Sequence, residues 1–367
     1  MTGPIPLLDL GEQYDTIRDE VDAAMRRVVD SQRFILGPEV EAFERALAAY
    51  LDDGREVVGC ASGTDALLLS LEALGLEPGD EVIVPAFTFF AAAGAVWNAG
   101  LKPVFCDVEP ASFNLDVETV EAVWTERTRA IVAVHLFGQM APMDQMVNRA
   151  EARGVSVIED AAQSIGATQE SAPRGVATAL SFFPTKNLGG FGDGGAVTSA
   201  DPEFADRIRK LRVHGGRKMY HHEMVGTNSR LDALQAAVLA AKLPHLPDWA
   251  DARRRHASLY DEGLADIPEV ITPTVYPGNV HVYNQYTIRA RRRNELREHL
   301  SAQEIGSGVY YPVPLHMQEC FESLGGRRGR HAVSETLCEE VLSLPVYPEL
   351  GAERVERVVA AIRRFYA

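Results

Sequence analysis

Lys186 stands in a sequence context that favours a chemically reactive amine. It lies in Ser181-Phe182-Phe183-Pro184-Thr185-Lys186-Asn187-Leu188, and glycines follow at positions 189, 190, 192, 194 and 195. Upstream, Glu159-Asp160-Ala161-Ala162-Gln163-Ser164 closes a short apolar run. An amine attacks an aldehyde only when it is unprotonated, and lysine loses its proton readily on burial. A single lysine near glycines is ordinarily a solvated loop residue. With a carboxylate at the preceding strand end, Lys186 instead suits an enzyme that holds pyridoxal phosphate as a Schiff base.

Asp160 and Gln163 are the residue types that such a cofactor needs around its ring. The ring is a better electron sink when its nitrogen is protonated, and a buried carboxylate within hydrogen-bond reach keeps it so. Asp160 is the candidate for that carboxylate, and Gln163 is placed to hydrogen-bond the phenolic oxygen of the ring. The alternative for Asp160 is a capping role in the turn that follows.

Small hydroxyl residues suggest where the phosphate binds. Ser62, Gly63 and Thr64 come at the start of a helical pattern, where free backbone N–H groups and the helix dipole favour an anion. Ser62 or Thr64 could equally be a simple N-cap. Ser181 is either a second phosphate ligand or a satisfied core hydroxyl. Phe89 follows a predicted strand and is the candidate to stack on the ring, although an aromatic there is also typical of a core.

These residues must be positioned by an α/β domain. Between residues 55 and 200 short apolar runs alternate with helical patterns such as 64–74 and 143–153, which predicts a mainly parallel sheet whose ligands bind beyond the carboxyl ends of the strands. We expect a large pyridoxal-phosphate-binding domain over 1–247, including the N-terminal segment. A smaller α+β domain is expected over 248–367. The predicted strands of the first domain are 81–84, 103–107, 130–135, 155–158, 177–182 and 196–199; the second has strands at 285–290 and 308–311 and helices at 295–304, 331–342 and 352–366.

Composition excludes several function classes. The 367 residues carry 36 Lys and Arg against 52 Asp and Glu, a formal net charge of −16, which disfavours nucleic acid and anionic membranes as partners. The four cysteines form no Cys-x-x-Cys pair, which argues against a metal centre or a disulfide framework. No apolar run approaches a membrane span and the N-terminus has no signal-peptide pattern, so we expect a cytoplasmic protein.

The combination of motifs resembles a known family. Segments 61–66, 159–164, 181–188 and 228–232 are similar to those of the DegT/DnrJ/EryC1/StrS nucleotide-sugar aminotransferases, and the resemblance continues through 311–316 and 342–345. It implies the aspartate aminotransferase fold (PLP fold type I) and a homodimer with active sites between subunits. It also implies amino transfer, usually from L-glutamate, to a keto group at C3 or C4 of a nucleoside-diphosphate sugar, with pyridoxamine phosphate as the intermediate form of the cofactor.

The resemblance also assigns roles to residues. Lys186 matches the Schiff-base lysine, Asp160 the partner of the ring nitrogen, and Gln163 the ligand of the ring oxygen. Asn228 matches a residue that reaches the phosphate from the neighbouring subunit, whereas from the residues alone it would be a helix N-cap. The stacking aromatic and the phosphate ligands match Phe89, Ser62, Gly63, Thr64 and Ser181, and the segments around the nucleotide-sugar contain Arg230, Tyr311 and His316.

Two alternatives stay open at this point. Some members of the family are sugar dehydratases, in which histidine replaces the lysine, and related proteins have been described as regulators. The intact set of Lys186, Asp160 and Gln163 favours the aminotransferase. The sugar and the nucleotide are not determined by the sequence; segments 220–222 and 228–230 slightly favour amination at C3. His135, His221 and His222 are left unassigned.

Overall fold

The computed structural model describes residues 3–170 and 174–367, which contain twelve α-helices and twelve β-strands. The helices are α1 (Leu10–Ser31), α2 (Pro38–Leu51), α3 (Gly63–Leu74), α4 (Ala91–Asn98), α5 (Val117–Glu121), α6 (Met143–Glu151), α7 (Pro202–Leu211), α8 (Ala233–Lys242), α9 (Leu246–Leu264), α10 (Arg293–Ser301), α11 (Ala332–Glu340) and α12 (Ala352–Tyr366). The strands are β1 (Glu56–Cys60), β2 (Glu81–Pro85), β3 (Lys102–Cys106), β4 (Thr128–Val134), β5 (Ser156–Asp160), β6 (Thr168–Gln169), β7 (Ala177–Ser181), β8 (Gly195–Ser199), β9 (Val270–Ile271), β10 (Asn279–Val280), β11 (Tyr286–Ala290) and β12 (Val341–Leu344).

A seven-stranded sheet forms the centre of the large domain, in the order β1-β8-β7-β5-β4-β2-β3. Strand β8 runs antiparallel to both of its neighbours, and the other six strands are parallel to one another. The α/β class and the mainly parallel sheet are therefore confirmed. Because β1, β2, β5 and β7 point the same way, the residues that follow them gather along one edge of the sheet.

Helix α3 shows how local sequence positions part of that edge. Ser62 caps the helix by accepting the backbone N–H of Asp65 at 3.1 Å, and Gly75 ends it in the left-handed conformation with φ 67°. The apolar residues between these caps are mostly buried, including Leu67, Leu69 and Leu71. Truncation of a buried leucine of this kind to alanine typically costs about 2–5 kcal/mol of stability. The start of α3 is thus fixed by its cap and by its packing.

Buried side chains form three clusters, and α9 extends from one to another. Near its start, Leu246 and Trp249 pack with α1, α2 and α8; further along, Tyr260 and Leu264 pack with the C-terminal strands and helices. The expected boundary after residue 247 falls within the first turns of this helix. Ile5, near the N-terminus, packs with the C-terminal cluster and pairs with Ile305. The division into two domains at this position stays a prediction.

Two predicted elements of the C-terminal region are wrong in detail. Helix α11 ends at Glu340, and the apolar run that follows it forms β12, which pairs with β11. Tertiary pairing there overrides the helical spacing that predicted a helix to residue 342. In the predicted strand 308–311, the structure has a single bridge between Gly308 and Ser343. Among the described residues, no helix combines the length and the apolar character that crossing a membrane requires.

Candidate active site

The start of α3 and the end of β7 are in direct contact. A Cβ atom added to Gly63 would lie 2.5 Å from Cβ of Ser181 and 2.9 Å from its Oγ, so only glycine allows this approach. On the other side, a Cβ on Gly195 would lie 2.3 Å from the backbone oxygen of Ser62. The contact brings together Ser62, Gly63, Thr64 and Ser181, the four predicted phosphate ligands. Ser62 is also the N-cap, so its two predicted roles are compatible.

Asp160 and Lys186 are close enough for their charges to interact. The Asp160 carboxyl is buried at the end of β5, and burial raises its pKa above the usual range, opposed by the N–H of Ala162 and by the nearby Lys186. Burial lowers the pKa of Lys186, with the Asp160 charge opposing that shift. Lys186 as a whole residue is half-buried. The pair combines a buried acid with an amine shifted towards its unprotonated, nucleophilic form.

Gln163 is held in one orientation next to this pair. Its Oε1 accepts the backbone N–H of Phe137 at 2.7 Å, and its Nε2 donates to the hydroxyl of Tyr311 at 3.2 Å. The Tyr311 ring lies 6.0 Å from the ring of Phe89, which is 56% exposed at the mouth of the site. The structure therefore brings Gln163, Tyr311 and Phe89 together, and it gives Tyr311 a contact with Gln163 that the sequence did not suggest.

The segment around Asn228 is attached to the start of α3. The hydroxyl of Ser229 donates to the Asp65 carboxylate at 2.6 Å and accepts the N–H of Ala61 at 3.2 Å. Asn228 itself is exposed, and Arg230 is half-buried. Helix α8 begins only at Ala233, so the N-cap interpretation of Asn228 is wrong. Ser229 was missed because a serine between two polar residues carries no distinctive signal.

His316 is placed differently from Tyr311. Its side chain is buried, with Nε2 3.2 Å from Oε1 of Glu335 and the ring 4.6 Å from that of His331. These groups lie beside Lys102 and Phe105 of the edge strand β3, around a cavity of about 280 Å³. The structure thus gives His316 partners of its own within the fold, and its role in substrate binding stays a prediction.

The loop after Lys186 is anchored by α8. Gln235 accepts the backbone N–H of Phe191 at 2.7 Å, and Lys242 donates to the carbonyl of Gly189 at 2.8 Å. Burial lowers the pKa of Lys242 to about 8. A Cβ on Gly190 would lie 2.8 Å from Oε1 of Gln235, so a larger residue there would displace the side chain that accepts the Phe191 N–H. Sequence reasoning missed both anchors because their positions on α8 match an ordinary buried helix face.

The arrangement fits pyridoxal phosphate. Free N–H groups and hydroxyls meet where Gly63 contacts Ser181, and they suit the phosphate. Among the described residues the Asp160 carboxylate accepts no hydrogen bond from a side chain, so it has capacity for a protonated ring nitrogen. Gln163 offers an Nε2 donor for the ring oxygen, and Lys186 supplies the amine. Elsewhere in the described ranges, no group of three or more His, Cys, Asp or Glu side chains is arranged to bind a metal ion.

Comparison with protein families gives one match over nearly the whole chain. The model of the DegT/DnrJ/EryC1/StrS aminotransferase family matches residues 15–363. A "pleiotropic regulatory protein" of Geobacillus stearothermophilus is 47% identical over 369 residues, covering 99% of this chain and 98% of that protein.

Two further relatives are named for the sugars on which they act. The dTDP-3-amino-3,4,6-trideoxy-alpha-D-glucose transaminase of Streptomyces venezuelae is 44% identical, covering 99% of this chain and 97% of its own. A UDP-N-acetyl-3-dehydro-alpha-D-glucosamine 3-aminotransferase of Acidithiobacillus ferrooxidans is also 44% identical, covering 98% of this chain and 97% of its own. Among solved structures, S. venezuelae DesV in complex with a ketimine intermediate superposes with a TM-score of 0.97 at 44% identity, covering 100% of this chain and 99% of that one.

Proposed function

Since the chain belongs to the DegT/DnrJ/EryC1/StrS aminotransferase family, we propose that it transfers an amino group from L-glutamate to a keto group of a nucleotide-linked sugar. Carbon 3 is the proposed acceptor position, because two similar proteins are named for an amino group at that carbon. Those two names carry different nucleotides, so the proposal leaves the nucleotide open. The observation that carries the proposal is the meeting of Lys186, Asp160 and the Gly63–Ser181 contact in one site of an aminotransferase fold.

Each residue of the site has a defined task in this reaction. Pyridoxal phosphate, the cofactor of this family, supplies an electron sink when bound and carries the amino group between the half-reactions as pyridoxamine phosphate. Lys186 Nζ removes the proton from the α-carbon of glutamate as a general base, which its lowered pKa favours. With the cofactor bound, the Asp160 carboxylate would accept a hydrogen bond from the protonated ring nitrogen. Gln163 Nε2 would donate to the ring oxygen.

The sugar acceptor is proposed to bind beside Tyr311, next to Phe89, which keeps its proposed role of stacking on the cofactor ring. Phe89 is exposed at this place. Tyr311 belongs to the segment 310–316, whose aromatic and polar residues suit an extended ligand. The nucleotide would act as a remote handle, whose binding free energy orients the ketone at the reacting carbon. Arg230, which is half-buried, is the proposed cation for the diphosphate.

A panel of acceptors tests this proposal. The pyridoxamine form of the protein is mixed with nucleotide 3-keto-sugars and 4-keto-sugars carrying dTDP or UDP, with the free keto-sugars, and with pyruvate. Return of the pyridoxal form is followed by absorbance. We expect a nucleotide 3-keto-sugar to react at least about a hundredfold faster than its free sugar, because remote binding energy is lost without the nucleotide.

The controls separate the competing functions. If pyruvate matches every nucleotide-sugar, the protein is a general amino-acid aminotransferase and the sugar proposal is wrong. If 4-keto-sugars react faster than 3-keto-sugars, the protein is still a nucleotide-sugar aminotransferase, but the acceptor carbon is C4. A regulatory role alone predicts no turnover with any acceptor, and a dehydratase predicts loss of water without net amino transfer.

We also propose that the active species is a homodimer with shared sites. The segment 216–226 exposes three apolar side chains almost completely: Met219 at 83%, Tyr220 at 91% and Val225 at 95%. Exposed apolar groups at this density mark interfaces. Asn228 follows directly, which supports a second copy of the chain as the partner that covers the segment. The proposed location is cytoplasmic, in keeping with the free state of the four cysteines.

Mixing inactive variants tests the shared site. If Asn228 of one subunit completes the site of the other, then Lys186→Ala and Asn228→Ala subunits form hybrids that have one intact site. With free subunit exchange we expect recovery of about a quarter of the wild-type activity, since half of the random dimers are hybrids. Activity is measured against protein concentration after exchange.

The matched control is a mixture of Lys186→Ala with Asp160→Asn. Both residues serve the site of their own subunit, so no hybrid has an intact site and no recovery is expected. Recovery in neither mixture, with exchange verified by labelled subunits, would mean that Asn228 acts within its own subunit. Full activity of a verified monomer would contradict the dimer altogether.

A further inference from the structure

The residue before Asp160 is at the centre of a buried polar network. Glu159 is fully buried, and its Oε1 accepts the backbone N–H of Gly175 at 2.8 Å and the hydroxyl of Thr178 at 3.1 Å. Arg174 is 3.2 Å away, and Oε2 lies 2.8 Å from Nε2 of His135. Successive residues of a strand point to opposite faces, so this network lies on the other side of β5 from the Asp160 side chain. The network stabilises the end of β5 on the face opposite the Asp160 side chain.

The hydrogen bonds of His135 fix its tautomer. Its Nδ1 accepts the backbone N–H of Ala141 at 3.1 Å, so that nitrogen carries no proton. Nε2 must then carry the proton and donate to Glu159. Burial alone would raise the pKa of Glu159, but the His135 hydrogen bond and the Arg174 and Arg55 charges lower it to about 2. The imidazole N–H at Nε2 thus donates to a carboxylate that its surroundings keep ionised.

The same histidine opens the turn that touches both ring-binding residues. The backbone N–H of His135 donates to the carbonyl of Asp160 at 2.9 Å. Two residues later, the N–H of Phe137 donates to Oε1 of Gln163, and Phe137 has a left-handed φ of 59°. Because Oε1 is occupied in this way, Gln163 must present its Nε2 donors to the site. The turn from 135 to 141 therefore contacts both Asp160, whose carboxylate is proposed to bind the ring nitrogen, and Gln163, which is proposed to bind the ring oxygen.

We propose that His135 is a positioning residue of this active site. By linking the Glu159 carboxylate to the 135–141 turn, it fixes the directions in which the Asp160 carboxylate and the Gln163 amide meet the cofactor ring. The proposal rests on the cofactor roles proposed for Asp160 and Gln163, and it requires no contact between His135 and the cofactor.

The test reads the cofactor ring directly, without turnover. Pyridoxal phosphate labelled with ¹⁵N in the ring is bound to each variant, and the ring-nitrogen chemical shift reports its protonation. In His135→Phe we expect the shift to move towards that of Asp160→Asn. We also expect cofactor affinity to fall about tenfold, the equivalent of one or two lost hydrogen bonds. A purely structural role would lower the melting temperature and leave the shift of the bound ring unchanged.

Conservative variants show which contact of the His135 imidazole matters more, the one with Glu159 or the one with Ala141. His135→Gln can still donate to Glu159, whereas His135→Asn can replace only the contact with Ala141. If the link to Glu159 carries the effect, the Gln variant lies closer to the wild-type shift than the Asn variant does. His256→Phe is the matched control, because His256 is a buried histidine of α9 outside this network, and it should leave the shift unchanged.

Each outcome decides the matter. A folded His135→Phe with wild-type shift and affinity overturns the positioning role. If that variant does not fold, wild-type shifts in both the Gln and the Asn variants overturn it equally. If Asp160→Asn itself leaves the ring nitrogen unchanged, the proposed cofactor role of Asp160 fails first and the role of His135 falls with it.

Discussion

Replacement of Lys186 by alanine is expected to slow the single-turnover reaction with glutamate by about 10⁴-fold or more, the scale on which loss of a positioned base and nucleophile acts. The physical reason is the lowered pKa of this amine, which burial shifts towards the unprotonated form. Asp160, Gln163 and the Gly63–Ser181 contact remain in the variant. It should therefore still bind pyridoxal phosphate, though without covalent attachment. Rapid mixing with glutamate measures the rate.

Covalent labelling provides the control, because the chain contains a competing amine. Lys242 is also buried, with a pKa lowered to about 8, and it contacts the loop that follows Lys186. Borohydride reduction and peptide mass mapping should place the phosphopyridoxyl group on Lys186 in the wild type and in Lys242→Met. A label on Lys242 in the wild type would refute the assignment.

Replacement of Asp160 by asparagine is expected to slow removal of the α-proton by about 10²–10³-fold, as in the loss of a preorganised electrostatic group. Asparagine keeps the shape and can still accept the N–H of Ala162, but it carries no charge to hold a proton on the ring nitrogen. The single-turnover rate and the absorbance of the bound cofactor measure the effect. A rate near that of the wild type would rule out the role.

The same change should stabilise the protein without cofactor. Burial raises the folded-state pKa of Asp160 above its unfolded value, so ionisation costs stability. That cost appears as pH rises through the unfolded pKa and grows until pH passes the folded-state pKa. The melting temperature of apo Asp160→Asn should therefore exceed that of the apo wild type at pH 7. At a pH below both pKa values the two proteins should converge.

Motif spacing predicted which residues lie at the ends of neighbouring strands and at the start of α3. Asp160 and Ser181 end neighbouring strands, as their apolar runs indicated, and Ser62 caps α3. These features are local, since a cap or a strand end depends on residues a few positions away. The contact between Gly63 and Ser181 could be expected only from the parallel direction of the strands.

Features that depend on distant partners were beyond prediction. The hydrogen bond between His135 and Glu159 joins the residue after β4 to a residue of β5, and the sequence left that histidine unassigned. Ser229 bonds to Asp65 across 164 positions. The spacing around Leu342 fits a helix, and only pairing with β11 makes it a strand. Such contacts follow from the assembled sheet, which no short segment specifies.

The pairing of β1 has a consequence for how the chain acquires its activity during synthesis. Strand β1 ends at Cys60 and lies at the sheet edge against β8, which begins only at Gly195. A chain emerging from the ribosome therefore carries β1 unpaired until more than half of its length has been made. Gly195 also packs against the backbone of Ser62, so the proposed phosphate site is completed by the same late event. We therefore expect the chain to bind the cofactor only after β8 has paired with β1. Nascent fragments that end before β8 should not retain pyridoxal phosphate.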